Sequence, residues 1–259
     1  MRHFTVNGLH YYTFETLDRY GVCHAIFTRK GGVSPPPWAS LNVGGTVGDD
    51  MERVRENRKR TFEALGLSSQ RAYDVWQVHS AEVLCVDAPR APDQIPQKAD
   101  ALLTNKRNVH LFMRFADCVP ILLFDRARGV IGIVHAGWQG TINRIAEKAV
   151  YKMEKEYGSA AEDIWAGIGP SVGAHHYPVG EEIWESACSL IPEVVQQSFG
   201  VHQGKYWFDL WTANKLLLEG AGVGEVEVAG ICTACNLEEW YSHRAEYGKT
   251  GRFGVVISL

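Results

Sequence analysis

The sequence has no surplus of positive charge, no long apolar run and little cysteine. Its 26 Lys and Arg against 30 Asp and Glu leave a formal net charge of -4, which gives no general attraction to phosphate backbones or anionic bilayers. Neither a nucleic acid nor a membrane is therefore expected as a partner. The longest apolar stretch, Val119 to Phe124, is strand-sized and far short of the ~20 residues that cross a bilayer. Six cysteines in 259 residues are too few for a disulfide scaffold. The opening, Met1 to Tyr12, lacks the basic end and apolar run of a signal peptide. A cytoplasmic protein with reduced thiols, available as ligands or nucleophiles, is the expectation.

Several motifs are also missing. No His-x-His occurs, so the paired imidazoles that gather several copper ions are absent. Gly248-Lys249-Thr250 echoes a phosphate loop, but His243 stands where its first glycine belongs. Gly167, Gly169 and Gly173 miss the dinucleotide spacing by one residue. Cys232-Thr233-Ala234-Cys235 has no second cysteine pair at zinc spacing and reads as a fortuitous pair, and His175-His176 is not a His-x-His pair. No solenoid repeat is present.

The chain does have the composition of an ordinary globule, 46% hydrophobic, 22% charged and 11% aromatic, which points to a large core and to small-molecule chemistry. Short or alternating apolar runs predict strands at His10–Phe14, Val22–Thr28, Glu82–Val86, Val109–Met113, Val119–Phe124, Val130–Val134, Asp163–Ile168, Val226–Ile231 and Phe253–Ser258. Helices are predicted over Asp50–Leu65, Thr141–Tyr157, Glu181–Ile191 and Asp209–Glu219. In the first, Asp49 or Asp50 caps, Val54, Arg58, Phe62 and Leu65 share a face, and Gly66 terminates. Helices scattered irregularly among strands imply an α+β assembly in one domain, residues 1–259, because the Pro-rich patches at Ser34–Pro37 and Ala88–Pro96 are loops rather than linkers.

The chemistry concentrates around Asp117-Cys118-Val119-Pro120 and His135-Ala136-Gly137-Trp138. A turn centred between Arg126 and Ala127 would place Cys118 directly opposite His135, with β-carbons about 5 Å apart, close enough to share a metal ion or a proton. His79, in Trp76-Gln77-Val78-His79-Ser80, is the third candidate ligand. Two histidines and a cysteine make a catalytic zinc set with its fourth position open. Each residue also has a plainer reading, Cys118 as a buried small hydrophobe, His135 as a satisfied strand-end histidine and His79 as a loop residue facing solvent. Arg244 and Arg252, around a glycine-rich turn, form a candidate anion clamp, with Arg29 and Arg114 weaker candidates of the same type.

Gly31-Gly32-Val33-Ser34, Ser40-Leu41-Asn42, Val47-Gly48-Asp49-Asp50, Gln77-Val78-His79, Ala116-Asp117-Cys118-Val119-Pro120, His135-Ala136-Gly137-Trp138, Ile168-Gly169-Pro170 and Thr250-Gly251-Arg252 together resemble the bacterial YfiH/YlmD family. Its members have been called polyphenol oxidases or laccase-domain proteins, and they are related to human FAMIN. The resemblance runs from about Gly21 to the C-terminus. It implies a mixed β-sheet sandwich core flanked by helices. It also implies a zinc-dependent purine nucleoside enzyme, with phosphorolysis of adenosine, inosine, guanosine and methylthioadenosine and hydrolytic deamination of adenosine. The family's zinc ligands carry over as His79, Cys118 and His135. Purine nucleoside and phosphate are the implied partners, with a monomer and a small homo-oligomer both open. Ser40, Asn42 and Gln77 are implied sugar or base contacts, Arg244 and Arg252 candidate phosphate holders, and Asp117 or Asp100 a candidate acid/base or support for the ligands.

The pattern departs in three places. Gln139 stands where the family carries Arg, Arg244-Ala245 where it carries an Arg pair, and Ser171 with His175-His176 where cysteine is common. Missing cations weaken phosphate binding before they affect deamination, which needs only water. Three rival functions remain: a Cys-His amide hydrolase or transamidase with Cys118 as nucleophile and His135 as base, a copper-dependent polyphenol oxidoreductase, and a non-enzymatic nucleoside- or partner-binding module.

Overall fold

Two strands, β8 (Val119–Asp125) and β9 (Val130–Ala136), are buried along their whole length, as strands must be when both faces of their sheet are covered. They form the middle of a six-stranded sheet in a computed structural model that describes all 259 residues. That sheet runs β14 (Glu225–Val228), β10 (Ile164–Ile168), β8, β9, β6 (Ala101–Thr104) and β5 (Val83–Cys85). A second six-stranded sheet runs β1 (Arg2–Val6), β2 (Leu9–Thr13), β3 (Cys23–Phe27), β15 (Phe253–Ser258), β7 (His110–Phe115) and β4 (Ala72–Tyr73). A small sheet joins β11 (Pro178–Val179), β13 (Lys205–Phe208) and β12 (Phe199–His202). The helices are α1 (Glu15–Arg19), α2 (Met51–Ala64), α3 (Trp138–Ile142), α4 (Ile145–Tyr157), α5 (Glu181–Leu190), α6 (Pro192–Ser198) and α7 (Leu210–Gly220).

The period-two alternation of the strands sorts their side chains into layers. Leu122, Phe124, Ile131 and Ile133 of one large sheet pack against Leu111, Met113, Phe115, Val255 and Ile257 of the other. The opposite side chains of β8 and β9, Ile121, Leu123, Val130 and Val134, meet Ala149, Val150 and Leu217 of α4 and α7. On the far side, Ala25, Phe27, Phe112 and Val256 are covered by Phe62 of α2. The fold is thus an α+β sandwich of two mixed sheets flanked by helices. No helix is long and apolar enough to cross a membrane.

Local chemistry explains where the expectations hold and where they shift. Asp50 caps α2 by accepting from the Glu52 amide at 2.7 Å, while Asp49 accepts from Ser34 Oγ and Asn42 Nδ2 instead. The helix expected over Thr141–Tyr157 is broken, because Arg144 adopts a left-handed backbone (φ 61°) between α3 and α4. The β8–β9 hairpin also differs from expectation. Asp125 Oδ1 accepts from the Ala127 and Arg128 amides and Gly129 takes φ 62°, moving the turn one residue along and the register two. Pro120, rather than Cys118, faces His135.

Candidate functional site

At one end of the sandwich the chain crosses between the sheets, from β7 through Ala116–Cys118 into β8. The end of β9, the start of α3 and the residues preceding β15 converge there around a cleft of about 730 Å³, a size typical of small-molecule sites. His79, Asp117, Cys118, His135, Gly137, Tyr177, Arg244 and Arg252 line it.

The register shift leaves the cluster intact because Cys118 sits just outside β8 and His135 just inside the end of β9. The ligand atoms of His79, Cys118 and His135 all lie within 4.8 Å of one another. Gly137 makes room for this: a Cβ there would lie 2.9 Å from Cys118 Sγ and 3.2 Å from the His79 ring. Burial alone would raise the Cys118 thiol, but His135 and His79 beside it pull it below its ordinary value. Burial alone would lower His135, yet the Cys118 thiolate and Asp100 hold it above its ordinary value. Each of the two thus favours the charged form of the other, and a divalent cation would compete with the proton between them.

Asp100, which is fully buried, organises two of the three. Its carboxylate accepts from the amides of Val78, His79 and Ser80, from Ser80 Oγ and from His135 Nδ1. Despite burial, which favours the neutral acid, these donors depress its pKa. This nest holds His79 in a left-handed backbone (φ 60°), a conformation that costs a non-glycine residue about 1–3 kcal/mol. Asp117 is similarly placed at φ 82°, its two carboxylate oxygens accepting from Thr233 Oγ1 and from the Arg244 amide, both at 2.6 Å.

Cations surround the rest of the cleft. The Arg244 guanidinium lies 4.9 Å from the Tyr177 ring centroid, and Arg252 Nη1 donates to the Thr250 and Gly251 carbonyls. At the other side, Arg58, Arg90 and Arg114 surround one carboxylate, Asp74, at 3.9, 2.8 and 3.1 Å. Burial, with Arg114 next to it, pushes Arg58 down to about 10. Three guanidiniums on one carboxylate leave a net positive surface suited to an anion.

The structure brings Cys118, His135, His79, Asp117, Gln77, Arg244 and Arg252 to this cleft and leaves two expected contacts outside it. Ser40 Oγ accepts from the Gly32 amide and donates to the Arg29 carbonyl. Asn42 is fully buried, its amide engaged with Gly44, Asp49 and the Arg252 backbone. Neither lines the cleft, and the side-chain polar atoms of both are engaged within the protein. Gln77 reaches the cleft, but its amide is committed to Arg114. Arg29 is not an anion clamp: it bonds the Ala39 and Leu237 carbonyls and Glu246. Asp100 does not line the cleft and lies behind His79 and His135. Sequence reasoning missed Arg58 and Arg90, although an arginine on the inward face of α2 was a visible signal.

Comparisons with known proteins agree with this architecture. Residues 23–259 match the family model described as "Multi-copper polyphenol oxidoreductase laccase". A Deinococcus radiodurans protein named purine nucleoside phosphorylase is 40% identical over 240 residues, spanning 92% of this chain and 89% of that protein. The crystal structure of Bacillus licheniformis hypothetical protein YfiH matches with a TM-score of 0.91 at 33% identity, covering 98% of this chain and 97% of the other. That of YlmD from Geobacillus stearothermophilus matches at 0.86 with 34% identity, covering 92% of each. From sequence match and shared fold alike, the chain belongs to the YfiH/YlmD family, the one its model describes as a polyphenol oxidoreductase laccase.

Proposed function

We propose that the cleft binds a purine nucleoside with inorganic phosphate and catalyses phosphorolysis of the glycosidic bond, with hydrolytic deamination of adenosine as a second reaction. The observation that carries this reading is the convergence of His79, Cys118 and His135 with Arg244 and Arg252 on one cleft. The name of the Deinococcus radiodurans relative, purine nucleoside phosphorylase, supports the phosphorolysis part of this reading. Adenosine, inosine, guanosine and methylthioadenosine are the proposed substrates.

The donor set fits zinc: two imidazoles and one thiolate leave one side open to the cleft. When bound, zinc supplies Lewis-acid activation of a substrate group or of water. The same three side chains suffice for one ion, whereas polyphenol oxidation by copper requires several gathered together, so zinc is the better match. Asp100 fixes His135 with its proton on Nδ1, leaving Nε2 toward the thiol.

Phosphorolysis joins a phosphate oxygen to ribose C1′, and the electron pair of the C1′–N9 bond leaves with the purine, which takes up a proton. Arg244 and Arg252 hold and orient the phosphate through charge-assisted hydrogen bonds. Asp117, with both oxygens accepting, acts as a positioning residue for the Arg244 turn. Gln139 lines the cleft without charge, so phosphate is held by fewer cations than in relatives with Arg there. The proposed site draws on residues from Gln77 to Arg252, which supports reading residues 1–259 as one domain. Reduced thiols at the centre accord with a cytoplasmic location.

One observation favours a second reading. Cys118, His135 and Asp100 are linked as a nucleophile, base and orienting carboxylate, the arrangement of a cysteine amide hydrolase. His79 has no part in such chemistry, yet it contacts the same thiol.

The test is product analysis after incubating zinc-loaded protein with adenosine, with and without phosphate. Adenine and ribose 1-phosphate support phosphorolysis, and inosine supports deamination. Neither product, with inactivation of an amidase activity by one equivalent of iodoacetamide in zinc-free protein, would overturn the reading in favour of the hydrolase.

A further inference from the structure

Cys232 and Cys235 are brought by the fold to His175 and His176, more than fifty residues earlier in the chain. The two segments are tied by backbone pairing: Ser171 bridges Cys232 in parallel, the Ser171 amide donates to the Ile231 carbonyl and the Thr233 amide to the Ser171 carbonyl. One ligand atom from each of the four residues lies within 4.8 Å of every other. His175 Nε2 is 3.0 Å from Cys235 Sγ, and the Gly173 amide donates to Cys232 Sγ at 3.2 Å.

From these positions we infer that His175, His176, Cys232 and Cys235 form a second metal site, a closed tetrahedral one that takes zinc or a similar borderline-soft divalent ion. Ligand atoms around such an ion, at 2.0–2.1 Å for nitrogen and 2.3 Å for sulfur, sit about 3.3–3.8 Å apart, so small side-chain adjustments complete the sphere. Two thiolates and two imidazoles fill all four positions, the composition of a structural site with no place for substrate. The amide from Gly173 stabilises the Cys232 thiolate, as partners behind metal ligands do. A redox Cys-x-x-Cys pair would have no use for the two adjoining imidazoles.

The site's purpose follows from what its two loops carry. The first holds Val172 and Tyr177 on the cleft wall, with Tyr177 under the Arg244 guanidinium. The second holds Thr233, which donates to Asp117. An ion clamping the loops together fixes the wall of the cleft on the side of Asp117 and Arg244. This inference rests on the geometry of the second cluster alone and stands whether or not the cleft processes nucleosides.

Cobalt(II) and zinc(II) titration of the metal-stripped, reduced full-length protein tests it. The wild type takes two equivalents. His79→Ala combined with Cys118→Ser takes one, and its cobalt form shows thiolate-to-cobalt charge transfer and tetrahedral visible bands, a readout independent of activity. His175→Ala combined with His176→Ala, at exposed positions and with folding checked by circular dichroism, takes one, held in the cleft. The inference is overturned if the cleft double variant takes no ion while still folded. It is equally overturned if the His175/His176 variant binds as many ions as the wild type, or if Cys232 and Cys235 form a disulfide whose reduction restores no metal uptake.

Discussion

Asp100 Oδ1 accepts from His135 Nδ1 at 2.9 Å while the amide of His135 donates to the Asp100 carbonyl at 2.7 Å. The same carboxylate gathers three successive amides around His79. One buried acid therefore sets the orientation of two candidate ligands from separate parts of the chain, and the third, Cys118, meets them from the β7–β8 crossing.

Replacing Asp100 with Asn keeps its size but gives the surrounding donors one fewer acceptor. Loss of such a partner behind a metal ligand lowers metal affinity about 10–100-fold. Competition with a chromophoric chelator reads this directly, and unchanged affinity in the folded variant would show that Asp100 does not support the ligands.

Gly137→Ala separates sterics from backbone strain. Gly137 has φ -74°, open to any residue, but the added methyl would meet Cys118 Sγ at 2.9 Å. The expected result is a folded protein that has lost cleft metal and turnover, checked by circular dichroism, metal analysis and adenosine assay.

Phosphate binding should answer to charge at the cleft. Removing a charge-assisted contact of about 1.5–3 kcal/mol in Arg252→Ala raises the KM for phosphate roughly 10- to 100-fold and leaves deamination near its original rate. Gln139→Arg lowers the KM for phosphate. Steady-state kinetics with phosphate varied checks both.

His24 supplies a pH test away from the cleft. Burial holds its pKa below the ordinary value, and its ring accepts from the Phe14 amide through Nε2 and donates to the Val22 carbonyl through Nδ1. A depressed folded-state pKa means full stability above the unfolded value of about 6.5 and progressive loss as pH falls through the folded value. Thermal midpoints should decline below about pH 6.5, and the decline should flatten in His24→Gln.

Much of this was legible in the sequence. The Asp50 cap, the inward stripe of α2 and the apolar runs of β8 and β9 are local signals, and physics acting within a few residues fixed them. The hairpin register was not, because the Asp125 carboxylate and Gly129 moved the turn by one residue, although the cysteine and histidine still met at the sheet end. Ser40 and Asn42 lie outside the cleft, a placement that the sequence does not show because a polar side chain in a loop looks available until its buried partners are known. The meeting of Cys232 and Cys235 with His175 and His176 depends on the parallel contact between Ser171 and Cys232, which no local pattern encodes.

The most direct measurement titrates metal-free protein with zinc while following adenine release from adenosine in the presence of phosphate, for the wild type and for His79→Ala and Cys118→Ser. The account predicts that phosphorolysis appears as zinc is bound in the wild type and falls at least 100-fold in both variants, in keeping with the loss of a Lewis acid worth several kcal/mol. Equal turnover by the metal-free protein, or an unimpaired folded His79→Ala variant, would contradict it.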